Sequence, residues 1–293
     1  WSCGERVMRL ESVTYLLVLL AIMVVVTGCG TSSTSQKATA KHPREVKVAL
    51  SAEVNPPYLY TNKNNDFVGL DMDYMKMLEK KLPQYKFKYE LGEEESNLVG
   101  LGAGKFDMAV NWFFKTPERE KQFLYQDEPY SYALPMLAVN EHNNDIHELS
   151  DLPGKRLTPM APSGGLYSIL SQYNKTHDPK ISIDKIQEPS NGDNLKMLSQ
   201  NRRDAMIINW NTYKAIQEQI HTKTKIGGIV KREPLHVVYN KKNKKLHDDI
   251  DKATKELKEE GKLQDLSKKY FDINVFEDID QLNKHKDRLE VDR

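Results

Sequence analysis

The chain has 293 residues, 39% of them hydrophobic and 29% charged, with a formal net charge of +1. That length suits one large domain or two lobes of ordinary size, and the balanced charge argues against a nucleic-acid binder. The densest basic run, KKNKK at 241–245, reads as a solvated turn.

Residues 14–26, TYLLVLLAIMVVV, carry no charge and no proline. The run is short for a membrane span and suits the apolar core of a signal peptide, with Arg9 as its positive flank. VTGCG follows at 26–30, and Val-Thr-Gly-Cys resembles the bacterial lipobox, in which cleavage leaves the cysteine as the new N-terminus and lipid joins its sulfur. Residues 1–28 are therefore expected to be a signal peptide and Cys29 the lipidated residue. The first seven residues, WSCGERV, resemble a translated ribosome-binding region, so translation is expected to start at Met8. Loss of Cys3 with the leader would leave no disulfide, and the fold must rest on its core. Residues 29–43 are small and polar beyond the lipidated end and read as a flexible tether.

The folded sequence is expected from Arg44. Residues 45–51 alternate apolar and polar and predict a strand. The double proline of NPPYLY, 55–60, forces an extended or turning chain. Asp71 is placed as the cap of a helix reaching Leu82, with Met72, Met75, Leu78 and Leu82 on one face, read as core. Residues 85–91 predict a strand, 98–103 a short helix ended by Gly104, and 106–112 a strand. Strand, helix, strand, helix, strand argues for a mainly parallel sheet with helices on its faces.

A second unit follows PYSYALPMLAV. Residues 149–157 lead into a strand, and PSGGLYSILSQY, 162–173, begins a helix with Ser163 as N-cap. Strands are expected at 181–186, 204–209, 226–230 and 234–240, a helix at 191–200, and a last strong helix at 246–260 with Leu246, Ile250, Ala253 and Leu257 on its apolar face. Residues 277–293 read as a charged C-terminal tail.

Several blocks in this order resemble bacterial extracellular solute-binding proteins of family 3, the polar amino-acid receptors of ABC importers. They are PPYLY before FVGLDMDYMKML, then GLGAGKFDMAV, TPERE with PYSYALPMLAV, LSDLPGKRL, and LKEEGKLQDLSKKYF. The resemblance covers about 46–271. It implies an α/β fold of the type 2 periplasmic-binding-protein kind, with two lobes joined by two hinge strands and a ligand cleft between. Lobe 1 would be 44–136 and 235–276, and lobe 2 would be 137–234.

The same resemblance implies the site. Arg119 stands in the Thr-x-x-Arg turn, 12 residues after Asp107, where the family's arginine grips the ligand's α-carboxylate with its planar fork. Asn111, Trp112 and Phe114 would line the cleft beside it, and Tyr58 and Asn55 would stand at its edge. Ser163 and Gly164 would offer a hydroxyl and backbone N–H groups at a helix N-terminus. The family usually binds the α-ammonium with an aspartate five residues after that of its "G-x-x-D-A" strand. Here that place holds Asn209, so either another acid serves, Glu53 and Glu95 being the candidates, or the ligand is not an ordinary α-amino acid. Trp112 and Trp210 could instead face a cation. The implied protein is not an enzyme, takes no cofactor or metal, acts as a monomer, and partners a small polar amino-acid-like ligand, an ABC permease and, through its lipid, the extracellular face of the membrane. Alternatives on the same fold are a surface adhesin or sensor, or a dehydratase-type enzyme.

Overall fold

The computed structural model describes residues 38–290 apart from Phe114 and Thr116, and apart from the side chains of Asn111 and Pro117. The expected signal peptide, the expected start at Met8, the expected lipidation site Cys29 and most of the expected tether thus lie outside the described residues, as does Phe114.

Lobe 1 is built on period-two patterning. In β1 (Arg44–Ser51), Val46, Val48 and Leu50 turn to one face of the sheet and Ala49 to the other. On the first face sits α1 (Leu70–Lys81), which buries Met75 and Leu78 completely. Gly69 precedes α1 at φ +121°, and a Cβ there would stand 2.4 Å from the Tyr58 carbonyl oxygen, so only glycine lets the helix start lie against the Pro-Pro-Tyr loop. That loop leads into a two-strand ribbon, β2 (Tyr60–Thr61) with β3 (Phe67–Val68). Asp71 does not cap α1: its carboxylate is fully buried and accepts from the Tyr130 hydroxyl at 2.9 Å.

Next come β4 (Tyr85–Gly92), α2 (Glu94–Ala103) and β5 (Met108–Phe113). The α2 helix begins four residues before the expected 98, because the polar EEES turn already has helical backbone; its apolar side alone had marked it. After α3 (Pro117–Gln122) and β6 (Phe123–Tyr125), the hinge strand β7 (Ser131–Ala133) leads out of the lobe.

Lobe 2 carries a three-strand antiparallel sheet. Its central strand is β8 (Pro135–Asn140), flanked by β9 (Met206–Asn209) and β10 (Thr224–Ile229). Helices α4 (Gly164–Thr176), α5 (Asn191–Ser199) and α6 (Trp210–Ile220) complete it. The strand expected at 181–186 is instead a non-repetitive segment held by one bridge, Met160 to Lys185. Asn174 fixes its start through both side-chain atoms to Ile181, each at 2.8 Å.

The chain returns through β11 (Glu233–Asn240). Its first residues pair with β7 as the second hinge strand, and its later ones enter the lobe 1 sheet between β5 and β6. The sheet order is β4-β1-β5-β11-β6, parallel over the first three. The chain passes from β4 across β1 to β5, so the order reverses there, and the crevice at the carboxyl ends of β1 and β5 is the switch point where such sheets bind ligands. Helices α7 (Lys244–Glu259) and α8 (Lys262–Phe271) then cover lobe 1.

The expected charged tail is folded as far as residue 290. It forms α9 (Ile279–Lys284) and a 3₁₀ turn at Lys286–Leu289, which pack on β10 of lobe 2. Asn283 donates to the Ile229 carbonyl at 3.0 Å and accepts from the Ile229 N–H at 2.8 Å, so it closes an open sheet edge. Leu282 and Leu289 are buried beneath it. Two leucines spaced widely among charges are too weak a pattern to announce this docking.

Candidate functional site

A cleft of about 620 Å³ separates the lobes. From lobe 1 it is lined by Glu94 and by Lys115 and Arg119, which follow β5 at the switch point. From lobe 2 come Asn209 and one face of α4, Gly164, Gly165, Ser168 and Gln172 among them, spaced as helix geometry requires. The hinge adds Lys231 and Glu233.

Arg119 sits in α3 with its side chain 25% exposed. One guanidinium nitrogen donates to Glu94 Oε1 at 2.6 Å. The Tyr125 side chain also hydrogen-bonds it, and its guanidinium carbon lies 5.6 Å from the Phe113 ring centre. The fork is therefore oriented from behind by β5 and β6 and directed into the cleft. A second ion pair, Lys231 with Glu233 at 2.6 Å, belongs to the hinge. Lys115 pairs with Glu120 at 2.8 Å.

Gly164 opens α4 at φ +87°, a conformation that favours glycine, and the preceding Ser163 leaves the helix without a side-chain cap. Gly164 also borders a smaller cavity of about 220 Å³, which Ser163, Thr158, Asn191 and Asn194 line behind the same helix start. Asn209 ends β9, and its Oδ1 is buried with no hydrogen-bond partner among the described residues.

The other expected site residues lie elsewhere. Tyr58 is only 2% exposed and packs between Trp112 and Phe271, at ring distances of 6.2 and 5.9 Å; it supports the cleft wall as core and does not edge it. Burial, and after it the nearby Asp71 charge, push its phenol well above the usual range. Trp210 is equally buried; its indole N–H donates to the Leu289 carbonyl at 2.9 Å and its ring lies 5.0 Å from Phe271, so it anchors the C-terminal turn, and the cation over its ring is the Lys214 ammonium, 5.3 Å from the centroid. Trp112 is half-buried at φ +39° and packs toward Tyr58. Asn55 accepts from Asn211 Nδ2 at 2.6 Å, a lobe-to-lobe contact outside the cleft lining. Asn111 is a β5 residue, and Phe114 lies outside the described residues.

Glu94, Lys115, Lys231, Glu233 and Gln172 were not anticipated. Glu94 was within reach: three acids in a row follow β4, at the carboxyl edge where ligands bind. Glu53 and Glu95 were the expected acids, and neither lines the cleft; one residue turns a helix by about 100°, and it is Glu94 that meets Arg119.

The profile of the bacterial extracellular solute-binding proteins, family 3, matches residues 46–273. The L-cystine-binding protein TcyJ of Bacillus subtilis is 33% identical over 258 residues, covering 87% of this chain and 93% of that protein. The L-cystine-binding protein TcyK of the same organism is 29% identical over 260 residues, covering 87% and 94%. Among solved structures, the probable amino-acid ABC transporter extracellular-binding protein ytmK from Bacillus subtilis superposes with a TM-score of 0.67 at 28% identity, covering 78% of this chain and 97% of that one.

Proposed function

Because this chain belongs to family 3 of the bacterial extracellular solute-binding proteins, we propose that it is the lipid-anchored receptor of an ABC importer, and that its ligand is L-cystine or an amino acid of the same doubly zwitterionic kind. Members of the family bind solutes and are not enzymes. The observation that carries the ligand reading is that two ion pairs, Arg119–Glu94 and Lys231–Glu233, line one cleft. A molecule with two carboxylates and two ammonium groups meets both signs of charge at each end, whereas a single amino acid uses one pair only. The cystine-binding relatives TcyJ and TcyK agree with this assignment.

In this reading Arg119 takes one carboxylate through two parallel N–H···O bonds. Lys231 takes the second, and the α4 N-terminus, with the Gly164 and Gly165 backbone in the same cleft, adds N–H donors. Pairs as exposed as Arg119–Glu94 are worth only about 0–1 kcal/mol, so opening one for a ligand costs little. Two hinge strands allow lobe 2 to close over the bound molecule.

Thermal unfolding of the 39–293 unit, which is compact in itself, tests this against L-cystine, L-glutamine, L-arginine and glycine betaine. L-Cystine at 100 times its Kd should add ~2.7 kcal/mol of stability, and Arg119→Ala should abolish the gain. Stabilisation by another member of the panel and none by L-cystine would refute the ligand assignment. The anchor at Cys29 has its own test. Cells fed an alkyne-bearing fatty acid should label the full chain, and Cys29→Ala should lose the label and shed protein to the medium; an unlabelled wild-type chain would refute it.

A further inference from the structure

The cleft poses a charge problem. An α-amino acid brings an ammonium group, and Asn209, at the place where an aspartate is expected, offers a dipole only. A desolvated ammonium without a counter-charge is costly. Yet Asn209 is not inert: its Oδ1 is a buried acceptor with no partner among the described residues, in a residue that lines the cleft. Buried acceptors are nearly always satisfied, so an orphan of this kind calls for a donor. A carboxylate cannot be that donor and an ammonium can.

Two acids line the same cleft, Glu94 and Glu233. An α-amino acid carries its carboxylate and its ammonium on one carbon. The acid serving the ammonium must therefore stand next to the group gripping the carboxylate. Glu94 is 2.6 Å from Arg119, whereas Glu233 is held at the hinge by Lys231.

We propose, resting on the amino-acid reading above, that Glu94 and Asn209 Oδ1 together form the ammonium site of this cleft, with the negative charge supplied from lobe 1 and the dipole from lobe 2. The ligand then inserts into the Arg119–Glu94 pair as a zwitterion. Its carboxylate replaces Glu94 on the guanidinium, and its ammonium replaces Arg119 on Glu94. Every charge keeps an opposite partner before and after binding, and no proton moves. The α-ammonium also touches both lobes, so its recognition favours the closed arrangement over the open one. A ligand with a carboxylate and no ammonium displaces Glu94 from Arg119 and leaves that acid unpaired, which selects against simple carboxylates.

Titration calorimetry on the 39–293 unit compares L-cystine with 3,3′-dithiodipropionate, the same skeleton without amines, and L-glutamine with glutaramate. The proteins are wild type, Glu94→Gln and Glu94→Gln/Asn209→Asp, each shown to fold by its thermal midpoint. Glu94→Gln should weaken the amino acid by about 30-fold or more, the loss typical of truncating one partner of a hydrogen-bonded charge pair, and leave the amine-free analogue unchanged or tighter. The double variant, with its acid moved to lobe 2, should regain most of the loss. Equal weakening of amino acid and analogue in Glu94→Gln would overturn the proposal and leave Glu94 as a support for Arg119. A double variant as weak as the single one would remove Asn209 from the site. Binding of L-glutamine and not L-cystine by wild type would refute the cystine assignment alone, and the glutaramate comparison then decides on Glu94. A wild type that binds neither amino acid overturns both readings.

Discussion

Asp71→Asn is expected to stabilise the protein at neutral and alkaline pH. Asp71 is fully buried, its Oδ1 accepts from Tyr130, and its Oδ2 is buried with no partner among the described residues. Burial pushes its carboxyl from an ordinary 3.8 up to about 7, against the lowering pull of the Tyr130 hydrogen bond. At 1.36 kcal/mol per pH unit that rise corresponds to ~4 kcal/mol. The N-terminal dipole of α1, in whose first turn Asp71 lies, returns up to ~2 kcal/mol in favourable partly buried geometry. The net cost of holding the ionised form is thus ~2–4 kcal/mol. The folded state holds its proton more tightly than the unfolded chain, so Asp71's contribution is fully present below about pH 4 and is lost as pH rises through about 7. The neighbouring phenols, Tyr58, Tyr74 and Tyr130, are all pushed upward by burial and do not titrate in this window. Asparagine keeps an acceptor for Tyr130 and carries no charge. Urea unfolding of both proteins at pH 4, 6 and 8 should show near equality at pH 4 and a variant advantage of ~2 kcal/mol at pH 8. A variant weaker than wild type at every pH, by a constant amount, would refute the reasoning. It would mean that the helix dipole and Tyr130 hold Asp71 ionised in the fold at no net cost.

Arg119→Lys should cost binding nearly as much as Arg119→Ala, because an ammonium cannot offer the parallel fork; an affinity within threefold of wild type by calorimetry would contradict bidentate capture. Trp210→Phe keeps the ring against Phe271 and leaves the buried Leu289 carbonyl without its donor; a loss of ~1–3 kcal/mol in urea unfolding is expected. Asn283→Ala strips both backbone groups of Ile229 of their partner and should speed hydrogen exchange along β10, with exchange unchanged there counting against the edge-closing role. Leu282→Ala, at a fully buried position, should lower stability by about 2–4 kcal/mol.

What the residues announced, and what they withheld, follows from the range of the interactions involved. The β1 alternation and the α1 stripe each report a face covered over its whole length, so period alone placed them. The place of Arg119 at the cleft was legible because its turn sits a fixed distance beyond β5. The burial of Trp210 was not legible because a tryptophan beside a cleft residue looks the same in sequence whether its ring faces ligand or core. Its partner, the Leu289 carbonyl, is 79 residues away and anonymous. The fold of 279–289 was hidden for the same reason. Its stability comes from closing β10 through Asn283, and an exposed sheet edge in one lobe leaves no mark on a segment that follows the other. Glu94 was missed by one helical position, which only the actual start of α2 could decide.

The tail changes how the two lobes are joined. Besides the hinge strands β7 and β11, the chain makes a third crossing between α8 and α9, again from lobe 1 to lobe 2. Ile273 and Val275 are buried at the start of this crossing, in a core cluster that draws residues from both lobes. Phe276 then lies edge-on to Tyr132 of β7 at 5.4 Å, and its carbonyl accepts from Arg232 at 2.9 Å, just ahead of β11. The crossing therefore lies along the hinge and ends on lobe 2, where Leu289 holds the indole of Trp210. Trp210 follows Asn209 directly, so the cleft acceptor and the anchor of the third crossing share one short stretch at the β9–α6 junction. A closure that moves Asn209 toward a bound ammonium must carry Trp210, Leu289 and α9 with it as one body, with the hinge taking up the rotation. Removal of residues 277–293 should accordingly act on the cleft as well as on stability. With three tethers reduced to two and Trp210 left without its acceptor, the ligand's dissociation rate in stopped-flow should rise, whereas a tail that merely covers the sheet would leave that rate unchanged.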